Sequence, residues 1–176
     1  SEMCIRDSSG KVAVVTGSSK GIGKSIASQM ALHGSNVVVS SRNQKSCDSV
    51  ASEINQSLPE GCGAALGIAC HIGKKNDLEH LVKSTKEKLG KIDILVCNAA
   101  VNPVYGSMLE ISDKAYEKVL DSNVKSNHWL SQLVIPDMIK QRDGVILIVS
   151  SVGGLHGSST LGTYGVSKAA DIAIVR

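Results

Sequence analysis

The sequence predicts a single α/β domain built on a doubly wound parallel sheet, with helices on both faces. Five short runs rich in Val and Ile are almost continuously apolar, as strands buried on both faces should be. Longer amphipathic segments separate these runs, which is the order that parallel strands with right-handed crossovers require. The length of 176 residues allows one domain with a substantial core and is short for two.

The elements can be assigned from these runs in chain order. The predicted strands are KVAVVT (11–16), NVVVSS (36–41), GAALGIA (63–69), KIDILVC (91–97) and GVILIVS (144–150). The predicted helices cover 23–33, 44–57, 76–89 and about 112–140. Asn76 and Asp77 are typical of a helix start and Gly90 of a helix stop. Pro136 should kink the last helix or mark a break in it.

The composition limits both the organisation and the partners. Residues 1–8 differ in character from the rest of the chain, and we expect a disordered or foreign extension before a domain at 9–176. A net charge of +3, one Trp, three Tyr and no Phe argue against a nucleic-acid surface with stacking platforms. No stretch approaches the roughly 18 uninterrupted apolar residues of a membrane span, so none is predicted.

The five cysteines indicate free thiols. Their number is odd, and no pair has the two-residue gap of a zinc or thioredoxin-type site. Cys62, Cys70 and His71 could approach a metal ion, but a fourth ligand is not evident and no metal site is predicted. Free thiols favour a reducing compartment, hence an intracellular protein.

The segment TGSSKGIG (16–23) comes after the first predicted strand and precedes the first predicted helix. Its three glycines permit a tight turn and let backbone N–H groups approach a pyrophosphate at the helix N-terminus. The first two glycines are separated by three residues, which differs from the usual dinucleotide fingerprint. Taken alone, the segment is also compatible with an ordinary flexible loop.

Five motifs in order resemble the short-chain dehydrogenase/reductase family over residues 10–176. They are the TGxxxGxG loop, CNAA at 97–100, Asn123, the serine pair at 150–151, and the YxxxK pair from Tyr164 to Lys168. Within the family, CHIGK (70–74), CNAAVNP (97–103) and IVSS (148–151) look closest to NADPH-dependent carbonyl reductases of the dehydrogenase/reductase member 4 type. The resemblance implies a Rossmann-like fold and an oxidoreductase.

The resemblance also implies catalytic roles for Asn123, Ser151, Tyr164 and Lys168. Tyrosine and lysine four residues apart share one helix face, where the ammonium stabilises a phenolate. In the family the tyrosine exchanges a proton with the substrate oxygen, the serine positions that oxygen, and the lysine bonds the nicotinamide ribose. The asparagine holds a water that relays protons. Each residue alone would be interpreted as a solvated helix face, a strand-end turn or a polar helix position.

The cofactor-binding residues implied by the resemblance are Gly17, Ser19, Lys20, Gly21, Ile22, Gly23, Ser41, Arg42, Asn43, His71, Ile72, Asn98, Ala99, Ala100, Tyr164 and Lys168. No acidic residue ends the second strand, where one would accept the ribose hydroxyls of NAD. Arg42 offers a fork suited to a 2′-phosphate, with Lys20 as a second cation. We therefore expect NADP(H) rather than NAD(H). The alternative is that both cations lie in solvent.

Two residues depart from the family pattern. His71 stands where most relatives have an aspartate that touches adenine, and a histidine could bond there or simply pack in the strand-end turn. Ala100 replaces the last glycine of the NNAG segment, a change that should be tolerated unless the backbone there needs a positive φ.

Family members continue beyond the position of Arg176, so we expect a domain that lacks its C-terminal strands and most of its substrate lid. The expected substrate is a small carbonyl or alcohol compound, and the full-length relatives are expected to be homodimers or homotetramers in the cytoplasm or peroxisome. One alternative is a nucleotide-binding module without turnover. Another is an interaction module that pairs with a full-length relative.

Overall fold

Five parallel strands form the sheet in the computed structural model, which describes residues 8–175. The strands are β1 (Val12–Thr16), β2 (Asn36–Ser41), β3 (Ala65–Ala69), β4 (Ile94–Cys97) and β5 (Val145–Ile148). Their order in the sheet is β3-β2-β1-β4-β5, and every neighbouring pair is parallel. The predicted doubly wound Rossmann-like fold is confirmed. The predicted extension at 1–8 lies outside the described residues except for Ser8, and it stays a prediction.

Six α-helices connect or flank these strands in the described part of the chain. They are α1 (Gly21–Leu32), α2 (Gln44–Ser57), α3 (Lys75–Leu89), α4 (Asp113–Leu120), α5 (Ser126–Gln141) and α6 (Gly162–Ile174). A π-helical turn, Asp121–Lys125, joins α4 to α5. The predicted long helix is therefore interrupted at this turn. It is not interrupted at Pro136, because α5 continues through that residue to Gln141.

The helix ends are set by local chemistry. The Asn43 side chain accepts a hydrogen bond from Ser46 N at 3.0 Å and so caps α2. Helix α3 begins at Lys75, one residue before the predicted start, and Asp77 lies in its first turn. It ends at Leu89, and Gly90, the glycine predicted to stop it, caps it with a φ of 85°.

The strands alternate their side chains between two apolar layers. Val14 and Val38 face the layer covered by α3 and α5. Val15 and Val37 face the opposite layer, which α1 and α2 cover. All of these valines are fully buried, and each contributes about 1.5–3 kcal/mol by leaving water. This two-sided burial explains why the strand sequences are continuous apolar runs.

A topological switch point lies between β1 and β4. The chain leaves β1 toward β2 on one side, and later returns to place β4 on the other side of β1. Loops that come after two such strands turn away from each other and open a crevice at the carboxyl ends of the strands. The glycine loop comes after β1 and the CNAA segment after β4, so the fold brings these two motifs together at this crevice.

Candidate active site

Thr16 and Asn98 join the glycine loop to the segment after β4. The Thr16 hydroxyl accepts hydrogen bonds from the backbone N–H groups of Asn98 and Ala99, both at 3.1 Å. The Asn98 side chain donates to Thr16 O at 2.9 Å and to Gly17 O at 3.2 Å. Two predicted cofactor segments are thus held in one rigid unit. Thr16 was not among the predicted site residues, although it opens the TGxxxGxG motif.

Gly17 and Gly23 are required by the closeness of this packing. Gly17 has a φ of +66°, and a Cβ there would lie 2.8 Å from Ala99 Cα. A Cβ on Gly23 would lie 2.5 Å from both Gly17 O and the Asn98 Nδ2 atom. Such distances do not occur between real side chains and backbone, so only glycine fits at either position.

Ser18 fixes the other side of the loop and was not predicted from the sequence. It is fully buried, donates to Val15 O at 2.6 Å and accepts from Ser40 N at 2.8 Å. The loop is therefore anchored to β2 as well as to the segment after β4. Serine is so common in turns that its place within TGSSKGIG carries no signal for this role.

The N-terminus of α1 fits a nucleotide pyrophosphate. No side chain caps this twelve-residue helix, and its first turn contains no acidic residue. Its first N–H groups therefore remain available to an anion, and the helix dipole favours negative charge there. The predicted residues Lys20, Gly21 and Ile22 are exposed around this end, and Ser19 is half-buried.

The end of β2 presents the predicted cation to solvent. Arg42 is exposed and has no ion-pair partner within residues 8–175. Ser41 Oγ lies 3.2 Å from Cys47 Sγ, and the Asn43 side-chain oxygen is engaged in capping α2. Arg42 is thus the residue of this trio with its side chain fully free for a ligand.

His71 closes the turn between β3 and α3. Its Nδ1 accepts from Gly73 N at 3.2 Å, and its own backbone N–H donates to Asp77 Oδ2 at 3.1 Å. Ile72, also predicted to touch the cofactor, packs against the core. The sequence left open whether the His71 ring contacts adenine or packs in the turn, and in the structure the ring contacts the turn.

Ala100 lies on the segment that follows β4, and Asn123 lies in the π-helical turn and contacts that segment. Arg142 is the one described non-glycine residue with a positive φ, so Ala100 needs no glycine. Asn123 is fully buried, and its side chain pairs with both backbone groups of Val101 at 2.8 and 2.9 Å. It also donates to Ser167 Oγ at 3.0 Å. The Asn123 side chain therefore ties this segment to α6.

Ser151 and Tyr164 flank Gly153. The Ser151 hydroxyl accepts from Gly153 N at 3.1 Å. A Cβ on Gly153 would lie 3.5 Å from Ser151 Oγ and 4.0 Å from Tyr164 Cδ1, so the two side chains border the same space. Tyr164 is half-buried and its hydroxyl has no hydrogen-bond partner among the described residues. Tyr164 also lines a small cavity, together with Val104, Met108 and Ile111 and with three hydroxyl-bearing residues.

Lys168 is buried below this pair. Its Nζ donates to Val149 O at 2.7 Å and to Asp171 Oδ2 at 2.9 Å, and it lies 5.9 Å from the centroid of the Tyr164 ring. The predicted tyrosine and lysine are thus brought together on α6. Asp171, which is 1% exposed, was not predicted; a carboxylate three residues after the lysine was the signal.

Two thiols are buried next to the site. Burial raises the pKa of Cys97 to about 12, and Asp171 adds to the rise while Lys168 opposes it. Burial likewise raises the pKa of Cys70, just after β3, to about 12. All four cysteines at positions 8–175 are free thiols, and that part of the chain contains no group of three His, Cys, Asp or Glu arranged for a metal ion.

Within residues 8–175, no helix is long and apolar enough to cross a membrane.

Comparison with known proteins agrees with this geometry. The family model described as short chain dehydrogenase matches residues 11–176. The human dehydrogenase/reductase SDR family member 4 is 40% identical over 167 residues, covering 94% of this chain and 58% of the relative. The human mitochondrial member 2 is 42% identical over 166 residues, with the same coverage of 94% and 58%.

A solved structure shows the same fold. The crystal structure of a hydroxysteroid dehydrogenase from Escherichia coli is similar with a TM-score of 0.84 and 36% identity, covering 95% of this chain and 64% of that one. The chain thus spans about three-fifths of the length of these relatives. The resemblance to the member 4 type is confirmed, and the chain belongs to the short-chain dehydrogenase family.

Proposed function

We propose that the protein transfers a hydride between NADP(H) and a carbonyl or alcohol substrate, as an aldehyde or ketone reductase. One observation carries this proposal. The uncapped N-terminus of α1 lies at the switch point of the sheet, and Ser151, Tyr164 and Lys168 come after β5, which β4 separates from β1. A nucleotide site and a proton-transfer group therefore share one edge of the sheet.

The glycine loop and Arg42 would hold the cofactor. The pyrophosphate would accept hydrogen bonds from the backbone at Ser19–Gly23, and the close packing at Gly17 keeps this backbone in place. The free guanidinium of Arg42 supports binding of a 2′-phosphate, with exposed Lys20 as a second cation. The bound nicotinamide supplies the hydride.

Tyr164 would move the proton. Its unpartnered hydroxyl donates a proton to a carbonyl oxygen as that oxygen gains charge, and takes the proton back from an alcohol in the reverse direction. The buried ammonium of Lys168, 5.9 Å from the ring centroid, stabilises the phenolate. The Ser151 hydroxyl donates a hydrogen bond to the same substrate oxygen and so holds it beside the phenol.

The solved relative is a hydroxysteroid dehydrogenase, which supports an alcohol or ketone as the reacting group. A homodimeric or homotetrameric state and a cytoplasmic or peroxisomal location stay predictions from the resemblance.

A substitution at Tyr164 tests the proposal. NADPH binding is measured by fluorescence titration, and turnover by carbonyl-dependent loss of NADPH absorbance. We expect Tyr164→Phe to keep NADPH binding and to lower turnover by about 100- to 10,000-fold, because the general acid is lost. Tyr105→Phe is the matched control, since Tyr105 is 77% exposed and should leave turnover unchanged. Equal turnover in both variants would show that Tyr164 is not the acid.

A further inference from the structure

A buried carboxylate holds the ammonium of Lys168, and the proposed reaction gives that carboxylate no role. Lys168 Nζ donates to Asp171 Oδ2 at 2.9 Å and to Val149 O at 2.7 Å. The two charged side chains are only 3% and 0% exposed. An ammonium has three donors, so two are committed to the protein and one is left for another partner.

Asp171 is itself held by a hydrogen bond from helix α5. Asn127 Nδ2 donates to Asp171 Oδ1 at 2.9 Å and to Asn123 O at 2.7 Å. Asn127 is 2% exposed and Asn123 is fully buried. Both oxygens of the carboxylate are therefore engaged, and a continuous buried network runs from Lys168 through Asp171 and Asn127 to the π-helical turn.

Burying an ion pair costs free energy because both charges lose their hydration. Removing one partner destabilises the fold strongly, because it leaves the other charge buried without compensation. A buried amine that loses its counterion favours the uncharged form, because desolvation penalises the charge. The titratable groups that face the pair from the packed elements are Cys97 on β4 and Tyr164 on α6. Neither is a carboxylate, and within residues 8–175 Asp171 is the one acid paired with Lys168.

We infer that Asp171 is a positioning residue for Lys168: its carboxylate, fixed by Asn127, keeps the buried amine charged and in place, with one donor left for the nucleotide. This inference rests on the proposed function, in which Lys168 acts on the cofactor and on Tyr164. Asp171 touches neither group itself and acts through Lys168.

The first arm of the test measures NADPH affinity against pH. Asp171→Asn keeps the shape and one acceptor oxygen but removes the charge. We expect the dissociation constant for NADPH to rise about tenfold at about pH 9, since a charge-assisted bond is lost. The dissociation constant of the variant divided by that of the unaltered chain should fall toward 1 at about pH 6, where protonation restores the ammonium.

Asp93→Asn is the matched control. Asp93 is 2% exposed, accepts from Val12 N at 2.8 Å and pairs with Lys91 at 3.0 Å, but it precedes β4 at the opposite end of the strands. Its replacement should change NADPH affinity by the same factor at every pH, if at all. A general loss of stability from removing a buried carboxylate is thereby separated from a specific effect on Lys168.

The second arm needs no nucleotide. Lys168→Met, Asp171→Leu and the double variant are unfolded in urea. Each single change leaves one buried charge without its partner, so we expect the double variant to unfold at a higher urea concentration than either single one. Additive losses would show that the two charges are not coupled.

The outcomes distinguish the role of Asp171 from the proposed function. A pH-independent affinity ratio for Asp171→Asn, or additive losses in urea, would overturn the role of Asp171 and leave the proposed function intact. Absence of saturable NADPH binding by the unaltered chain would overturn both. The inference is supported if acid restores the NADPH affinity of Asp171→Asn and the stability losses of the two single variants are not additive.

Discussion

Two positions in the glycine loop require glycine for different reasons, one for its backbone conformation and the other for close packing. Gly21 has a φ of +57°, but a Cβ there would meet nothing within 4 Å. A Cβ on Gly23 would instead lie 2.5 Å from Gly17 O. A substitution at Gly21 therefore tests backbone strain alone, and a substitution at Gly23 tests a steric clash.

We expect Gly21→Ala to lower the free energy of unfolding by about 1–2 kcal/mol, the cost of a left-handed conformation for alanine. Gly23→Ala should cost more, because the loop must move away from Asn98. Urea unfolding without nucleotide measures both. Equal losses would mean that the loop tolerates the added methyl and is less rigid than its contacts indicate.

Arg42 carries the choice of cofactor. Replacing it with Asp removes charge-assisted bonds to a 2′-phosphate and adds repulsion, so NADPH affinity should fall about 10- to 100-fold while NADH affinity is kept or improved. Arg142→Asp is the control, since Arg142 lies between α5 and β5, at the end of the strands opposite the glycine loop. An unchanged ratio of NADPH to NADH affinity in Arg42→Asp would remove the phosphate role.

The sequence identified residues with distinctive chemistry better than the residues that hold them. Tyr164, Lys168 and Ser151 belong to a spaced motif, so they were predictable. Ser18 and Asp171 act through contacts with β2 and with a lysine ammonium, and such contacts form only after distant segments pack. Serine is common at turn positions and gives no signal of a buried role. Aspartate three residues after a lysine indicates a possible ion pair, but not that the pair is buried.

At the level of elements, the strands that end at the site bury two thiols. Burial raises the pKa of Cys70 and Cys97 from 9.0 to about 12. The unfolded chain releases these protons first as pH rises. The stability that the neutral thiols contribute is therefore fully present below pH 9 and is lost as pH rises toward 12.

We expect the free energy of unfolding to fall above about pH 9 by up to about 1.4 kcal/mol per pH unit for each thiol. A Cys70→Ala, Cys97→Ala double variant should show a shallower decline, measured by urea unfolding across the alkaline range. Cys62→Ala, at a half-buried position, is the control and should keep the original slope. A double variant with the original slope would contradict the burial argument.

The helices and strands were predictable to within a few residues because their periodicity reflects which faces are buried. Helix α2 matches its predicted range, and α3 begins one residue early. The π-helical turn at Asp121–Lys125 was not predicted. One extra residue in a helical turn leaves no mark on apolar spacing, yet the turn contains buried Asn123, whose side chain joins the segment after β4 to α6.

For the molecule as a whole, the strand order explains why motifs as far apart in the sequence as Thr16 and Ser151 form one site. The glycine loop comes after β1, the CNAA segment after β4, and Ser151 after β5, and these three strands are neighbours in the sheet. The alternation of strands and helices predicts a parallel sheet in which each of these motifs follows its strand, and the structure adds the strand order. Substrate identity was not predictable, because the cavity beside Tyr164 depends on how the irregular segment between β4 and α4 folds.

The most direct test traces deuterium from the cofactor to the substrate. NADPH labelled with deuterium at the reactive nicotinamide carbon is incubated with the protein and a ketone, and the alcohol is analysed by mass spectrometry. We predict label on the former carbonyl carbon, reduced at least about 100-fold in Tyr164→Phe. Alcohol without label, or equal labelling by both proteins, would contradict the account.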